Sequence, residues 1–207
     1  MSGPLFDWPF GDIPHSSYSM IVADPAWKFE NYSSKGETKN PNSHYKCMDL
    51  EDIKILPVMD LAAKDCVLWL WATNPMLPQA LSVMSSWGFE FRTAGTWVKM
   101  TKNAKASFGT GYIFRSSNEP ILIGVRGDPS RYMPRDVRSV LYPDGLPSGD
   151  FTIYGLAREH SRKPEEAFDQ AEHMMPTGKR IELFSRTNRA GWTSWGDEVG
   201  KLDGEAA

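Results

Sequence analysis

Val67-Leu68-Trp69-Leu70-Trp71 is an unbroken apolar run. A half-exposed strand alternates apolar and polar residues, so a run this continuous belongs to a sheet covered on both faces. Parallel strands need long crossover connections, and helices in those connections provide the cover. The rest of the chain supplies the parts. Ser19–Ala23, Asp65–Thr73, Phe89–Val98, Glu119–Val125 and Arg180–Ser185 read as strands. Asp49–Ile55 reads as a short helix, with Leu50, Ile53 and Leu56 at helical spacing. Met76–Trp87 reads as a second helix, with Asn74 as cap, Pro75 at the first position and Gly88 as the stop. Pro164–Met174 is the third, carrying Glu165 and Glu166 in its first turn. Trp69, Trp71 and Trp87 belong to the core. The pattern predicts an α/β fold with helices on both faces of a mostly parallel sheet, as one domain over residues 1–207. Residues 28–46 and 99–118 are long polar loops, expected to be mobile and to face substrate. Arg126–Ser148 is an arginine- and proline-rich connection.

Hydrophobic residues make up 41% and charged residues 24%, and the net charge is −3. The chain is not globally basic, so nucleic-acid binding has to come from a local surface. The two cysteines, Cys47 and Cys66, form no metal-ligand pattern and read as reduced thiols. No apolar run is long enough for a bilayer, and Met1–Phe10 lacks the basic and apolar segments of a secretion signal. These features point to a cytoplasmic protein, a monomer or a homodimer. The common catalytic signatures are missing: no phosphate loop, no His-Glu-x-x-His zinc site, no Gly-x-Ser-x-Gly elbow.

What remains is Asp24-Pro25-Ala26-Trp27, directly after an apolar strand. Ligands of open α/β sheets bind outside the carboxyl ends of the strands, and both Asp24 and Ser185-Arg186 follow strands in this way. Whether those two ends are neighbours is left open by the sequence. Asp24 can accept hydrogen bonds from an amino group, Pro25 stiffens the turn, and Trp27 offers a flat face for stacking. Alone, the tetrapeptide is also what an ordinary turn after a strand looks like.

Three further stretches accompany it. They are Gly109-x-Gly111-Tyr112-x-x-Arg115-x-x-x-Glu119, His160-Ser161-Arg162-Lys163-Pro164-x-Glu166, and Ile181-Glu182-Leu183-Phe184-Ser185-Arg186 with Gly191-Trp192 and Trp195-Gly196-Asp197-Glu198. Together, and in this order, they resemble the adenine-N6 methyltransferase family of the eukaryotic mRNA methyltransferase catalytic subunit. The bacterial and phage DNA-modifying branch is the more similar in its small size and its Asn31-Tyr32-Ser33 to His44-Tyr45 loop. The resemblance runs from about Asp12 to Glu198. It implies a Rossmann-like methyltransferase fold with circularly permuted motifs, the catalytic motif preceding the cofactor motif. It also implies S-adenosyl-L-methionine as cofactor and methyl transfer to the N6 amine of adenine, in DNA rather than RNA.

Carried over by resemblance, the catalytic residues are Asp24, Pro25, Ala26 and Trp27. Ala26 departs from the family's second proline, which leaves a catalytically inactive nucleic-acid- or partner-binding homologue as an alternative. Asp12 and Ile13 match the pair that reads the cofactor's adenine, and Lys163 matches the lysine on the methionine carboxylate. Phe184, Arg186 and Asn188 match the segment after the late strand, and Asp197 and Glu198 the pair near the ribose hydroxyls. Asp24 borders the cofactor as well. Tyr32, His44, Tyr45, Lys99, Tyr112 and Arg115, on the two long loops, are the expected substrate contacts.

Overall fold

The computed structural model describes residues 8–28, 47–101, 105–109, 113–141 and 162–204. Among these residues seven strands form one sheet: β1 (Tyr18–Ala23), β2 (Ala62–Trp71), β3 (Glu90–Val98), β4 (Asn118–Arg126), β5 (Val140–Leu141), β6 (Lys179–Leu183) and β7 (Trp192–Trp195). Their spatial order is β5-β3-β4-β2-β1-β6-β7. Only β4 runs against its neighbours; the other four pairings are parallel. Among the described residues the α-helices are α1 (Leu50–Ile55), α2 (Leu77–Ser86) and α3 (Glu165–Met174). Among the described residues no helix is long and apolar enough to cross a membrane.

The apolar runs become two-faced strands as expected. In β2, Cys66, Leu68 and Leu70 join one core with Ile53 of α1 and Ala80, Val83 and Met84 of α2. The intervening Val67, Trp69 and Trp71 join a second core with Ala167, Phe168, Ala171 and Met174 of α3. The strand's period of two thus sends alternate residues into opposite layers, both of them dry. Trp69, Trp71 and Trp87 are at most 3% exposed.

Several local details differ from the sequence reading. Strand β2 begins at Ala62, three residues earlier than expected. Asn74 does not cap a helix: Thr73 is in the cap position of a 3-10 turn over Asn74–Met76. The Asn74 amide donates instead to Ser116 Oγ at 3.0 Å and Asn118 Oδ1 at 3.1 Å. Gly88 ends α2 as expected, with φ +75°, where a Cβ would also strike Met59. Strands β5 and β7 were not anticipated. β5 has two residues, and every residue of β7 is only half buried, so neither carries a strong apolar signature.

Because β4 alone is reversed, the carboxyl ends of the other strands and the start of β4 share one edge. β1 and β6 are adjacent, with Ala23 paired to Leu183, and the Asp24 N–H reaches the Leu183 carbonyl at 3.4 Å. The two strand ends whose relation was open are therefore side by side.

Candidate active site

At that edge lies a cleft of about 450 Å³. Asp24, Pro25 and Ala26 form its floor, Phe184, Ser185 and Arg186 follow β6, and Trp195, Gly196, Asp197 and Glu198 follow β7. Cys47, Met48, Asp49 and Asp52, beside the tetrapeptide through the Met48–Ala26 hydrogen bond, line the cleft too and carry no motif in the sequence. The volume suits a drug-sized ligand, and the lining mixes two aromatic rings with one cation, Arg186, and several carboxylates.

The backbone holds this shape under some strain. Phe184 has φ +63°, a conformation rare for a non-glycine residue, and it turns the chain out of β6 into the cleft wall. Gly196 packs so closely on this turn that a Cβ would come within 2.7 Å of the Ser185 carbonyl oxygen. The Ser185 N–H donates to the Trp195 carbonyl at 2.9 Å, fixing the two walls to each other.

The tetrapeptide is a tight turn. The Trp27 N–H donates to the Pro25 carbonyl at 2.7 Å, and the Ala26 carbonyl accepts from the Met48 N–H at 3.1 Å. One lone pair of the Pro25 oxygen is thus used internally and one remains. Trp27 departs from the expected stacking surface. Its side chain lies in the core at 5% exposure, and its indole N–H donates to the Trp71 carbonyl at 3.1 Å.

Asp24 stands at the end of a charged network. Lys163 Nζ donates to Asp24 Oδ2 at 2.7 Å and lies 3.3 Å from Glu119 Oε2. Lys99 donates to Glu119 Oε1, so two cations and two carboxylates alternate across the sheet edge. The cations also lie on tryptophans: Lys163 is 5.3 Å from the Trp71 ring centre and Lys99 5.2 Å from that of Trp97. Burial raises the Asp24 carboxyl above the usual carboxylate range; Lys163 works against this rise and Glu119 adds to it. Burial also acts to raise Glu119, but Lys163 and Lys99 together hold it below its ordinary value.

A smaller recess beside the cleft is lined by Asp24, Lys163, Glu182, Phe184, Arg186 and Arg189, among others. Burial pushes the Glu182 carboxyl up to about 7, with Arg189 opposing. Arg189 pairs with Glu165 and sits 3.6 Å from the Phe168 ring centre.

The expected cofactor residues divide. Asp24, Phe184, Arg186, Asp197 and Glu198 line the cleft together. Lys163 lies in the recess behind Asp24. Asp12 and Ile13 belong to an amino-terminal segment docked on the cleft wall: Phe10 packs edge-on against Trp195 at 4.9 Å, and the Trp195 indole donates to the Pro9 carbonyl at 3.2 Å. Asn188 is outside the cleft, its backbone and amide both bonded to Asp203 at 2.8 and 2.7 Å. Among the expected substrate contacts, Lys99 is turned inward onto Glu119 rather than outward. Arg115 is exposed and stacks its guanidinium 5.3 Å from the Phe108 ring centre. Tyr32, His44, Tyr45 and Tyr112 lie outside the described residues. Glu119 and Glu182 lie within the sequence motifs, but the motif spacing assigns them no role. Their signal was an acid inside an otherwise apolar strand, where an unpaired carboxylate is costly.

The MT-A70 family model matches residues 18–198, from the first residue of β1 to the far wall of the cleft. The chain belongs to the MT-A70 family. The Type II methyltransferase M.MunI of Mycoplasma sp is 30% identical, over 93% of this chain and 82% of its own length. The N(6)-adenine-specific methyltransferase METTL4 of Homo sapiens is 28% identical, over 90% of this chain and 38% of its own length. The N6-methyladenosine RNA methyltransferase MTA1 of Cryphonectria parasitica is 29% identical, over 89% of this chain and 52% of its own length. The permuted MT-A70 order has a direct structural expression here. The early β1 and the late β6 are hydrogen-bonded neighbours, so early and late motifs meet in one cleft.

Proposed function

We propose that this chain transfers the methyl group of S-adenosyl-L-methionine to the exocyclic N6 amine of adenine in DNA. The observation that carries the reading is one cleft shared by Asp24-Pro25-Ala26 and the Phe184–Arg186 and Trp195–Glu198 segments, which are distant in sequence.

The cleft's donor set suits that cofactor. Asp197 and Glu198 accept from ribose hydroxyls, Phe184 and Trp195 give flat apolar faces, and Arg186 supplies a cation for the carboxylate end. Asp12 and Ile13 lie in the segment docked behind Trp195, on the side assigned to the cofactor's adenine. When bound, the cofactor supplies an electrophilic methyl group on a sulfonium.

The protein's own contribution is electrostatic and positional. The adenine amine is a poor nucleophile because its lone pair is delocalised into the ring. Accepting both N–H groups favours a more pyramidal nitrogen, and the Asp24 carboxylate with the remaining lone pair of the Pro25 carbonyl forms such an acceptor pair. Lys163 occupies Asp24 Oδ2, which leaves Oδ1 for the amine. It also opposes the burial that drives Asp24 toward its neutral form, which accepts less well. Alanine in place of the family's second proline preserves the carbonyls used here, since Ala26 contributes its own to Met48. Trp27 then acts as the packed back of the turn, holding the tetrapeptide against Trp71. Tyr32, His44, Tyr45, Tyr112 and Arg115 remain the proposed substrate contacts, with an adenine in duplex extruded to reach Asp24.

DNA is preferred because the chain is 30% identical to M.MunI, a Type II methyltransferase, over 82% of that protein, against 52% of MTA1. RNA is the second reading, favoured by the similarity to MTA1. Incubation of plasmid DNA and a matched RNA with labelled cofactor, followed by mapping of N6-methyladenine, tests both. Label in DNA alone is expected; label in RNA alone would reverse the choice, and label in neither would end the enzymatic reading.

A further inference from the structure

The connection between β3 and β4 carries four cations, Lys99, Lys102, Lys105 and Arg115, and no acid between Lys99 and Asn118, in a chain of net charge −3. It also exposes large apolar side chains that the sequence reading passed over. Phe108 is 79%, Ile113 83% and Phe114 86% exposed. Three such residues together exceed the scattered apolar exposure of an ordinary surface.

The loop is anchored. The Lys99 N–H donates to the Ser117 carbonyl at 2.8 Å, the Ser107 N–H to the Lys99 carbonyl at 2.8 Å, and the Gly109 N–H to the Ser116 carbonyl at 3.0 Å. Asn74, at the end of β2, bonds Ser116 and Asn118. The loop therefore rises from the edge of the sheet that bears Asp24. Its base is joined to Asp24 through Glu119 and Lys163. Arg115 over Phe108 makes a mixed cationic and aromatic surface.

We propose that Phe108 and Phe114 are the base-stacking platform of this protein, receiving the unpaired bases that flank the target adenine. The inference rests on the proposed function. Charge complementarity selects the occupant: an acid-free cationic loop suits a phosphate backbone, and exposed rings on a loop rooted at the sheet edge that bears Asp24 suit bases freed when the adenine leaves the stack. Ile113 wedges beside them, where an apolar side chain fills space left by an unstacked base.

The test is anisotropy with a fluorescein-labelled DNA duplex holding one central adenine between mismatched, unpaired bases, and with the same duplex carrying abasic flanks. The Phe108→Ser/Phe114→Ser double variant is expected to bind the first probe at least about fivefold more weakly than wild type and the abasic probe equally, with Phe114→Trp restoring affinity. Calorimetry with S-adenosylhomocysteine verifies that the variant retains its fold and cleft. Unchanged affinity for the first probe, or equal loss on both probes, overturns the proposal. So does a wild-type dimer in sedimentation that the double variant converts to monomer without change in DNA affinity, because the patch is then an interface between copies. If wild type neither binds S-adenosylhomocysteine nor methylates any adenine, the proposed function fails instead, whatever the probes show.

Discussion

Lys163 Nζ lies 2.7 Å from Asp24 Oδ2, across 139 residues of sequence. The lysine side chain is only 9% exposed and lies over Trp71. A partly buried carboxylate held by one fixed cation is oriented, which an acceptor for an amine requires. Lys163 keeps Glu119 as a partner when Asp24 is lost, whereas Asp24 loses its paired cation when Lys163 is lost, so the two residues have different mutational signatures.

Asp24→Asn removes the charge and keeps the shape. Methyl transfer is expected to fall roughly 10²–10³-fold, the usual cost of losing one aligned electrostatic group at a reacting centre. Thermal unfolding should change little. Near-normal turnover of Asp24→Asn in a labelled-methyl assay would remove Asp24 from the mechanism.

Lys163→Met leaves Asp24 facing Glu119 without the intervening cation. Lys163 lowers the Asp24 carboxyl and Glu119 raises it, so the substitution moves Asp24 upward. Activity needs the ionised form, so the acid limb of the pH–rate profile should move to higher pH, with partial recovery on alkalinisation. An unmoved limb with a uniform loss at every pH would instead assign Lys163 to cofactor binding alone.

Trp27→Ala is expected to destabilise the protein by about 3–5 kcal/mol, the range for deleting a buried aromatic. Trp27→Phe, which strands the Trp71 carbonyl acceptor, should cost about 1–3 kcal/mol. Urea denaturation measures both. If Trp27→Ala is as stable as wild type, the indole is not the packed wall described above.

The same indole marks the limit of the sequence. Strand β2 was legible because its apolar run is uninterrupted, and only burial on both faces satisfies such a run. Which way Trp27 points was not legible, because its partner is a carbonyl 44 residues away. Lys99 was read as facing outward for the same reason: Glu119, its partner, is fixed by strand pairing and not by spacing along the chain. Asp24 and Arg186 were both placed at strand ends by local pattern. Their adjacency needed the β1–β6 register, which spans nearly the whole fold. β7 was missed because an edge strand half buried throughout has no apolar period to read.

Glu182 gives a pH test of stability. Its carboxyl is pushed by burial from 4.5 up to about 7, so the folded state binds the extra proton between those values. Stability contributed by the neutral form is full below about pH 4.5, declines as pH rises to about 7, and is flat above. The total loss is about 3 kcal/mol at 1.36 kcal/mol per unit of pKa difference. Glu182→Gln should remove this part of the slope in urea titrations at pH 5 and pH 8. An identical slope in wild type and variant would show that Glu182 stays ionised throughout.

The pairing of β1 with β6 also governs how the protein is made. Ala23 pairs with Leu70 on one side and with Leu183 on the other, so a growing chain holds its first strand with one open edge until β6 has been synthesised. Long-range pairings of this kind form late and slowly. The acceptor motif is made well before β6 and β7 and gains its other wall only when they dock. A chain shortened before Lys179 would carry Asp24 on an unprotected strand edge, and its failure would be aggregation rather than slow turnover.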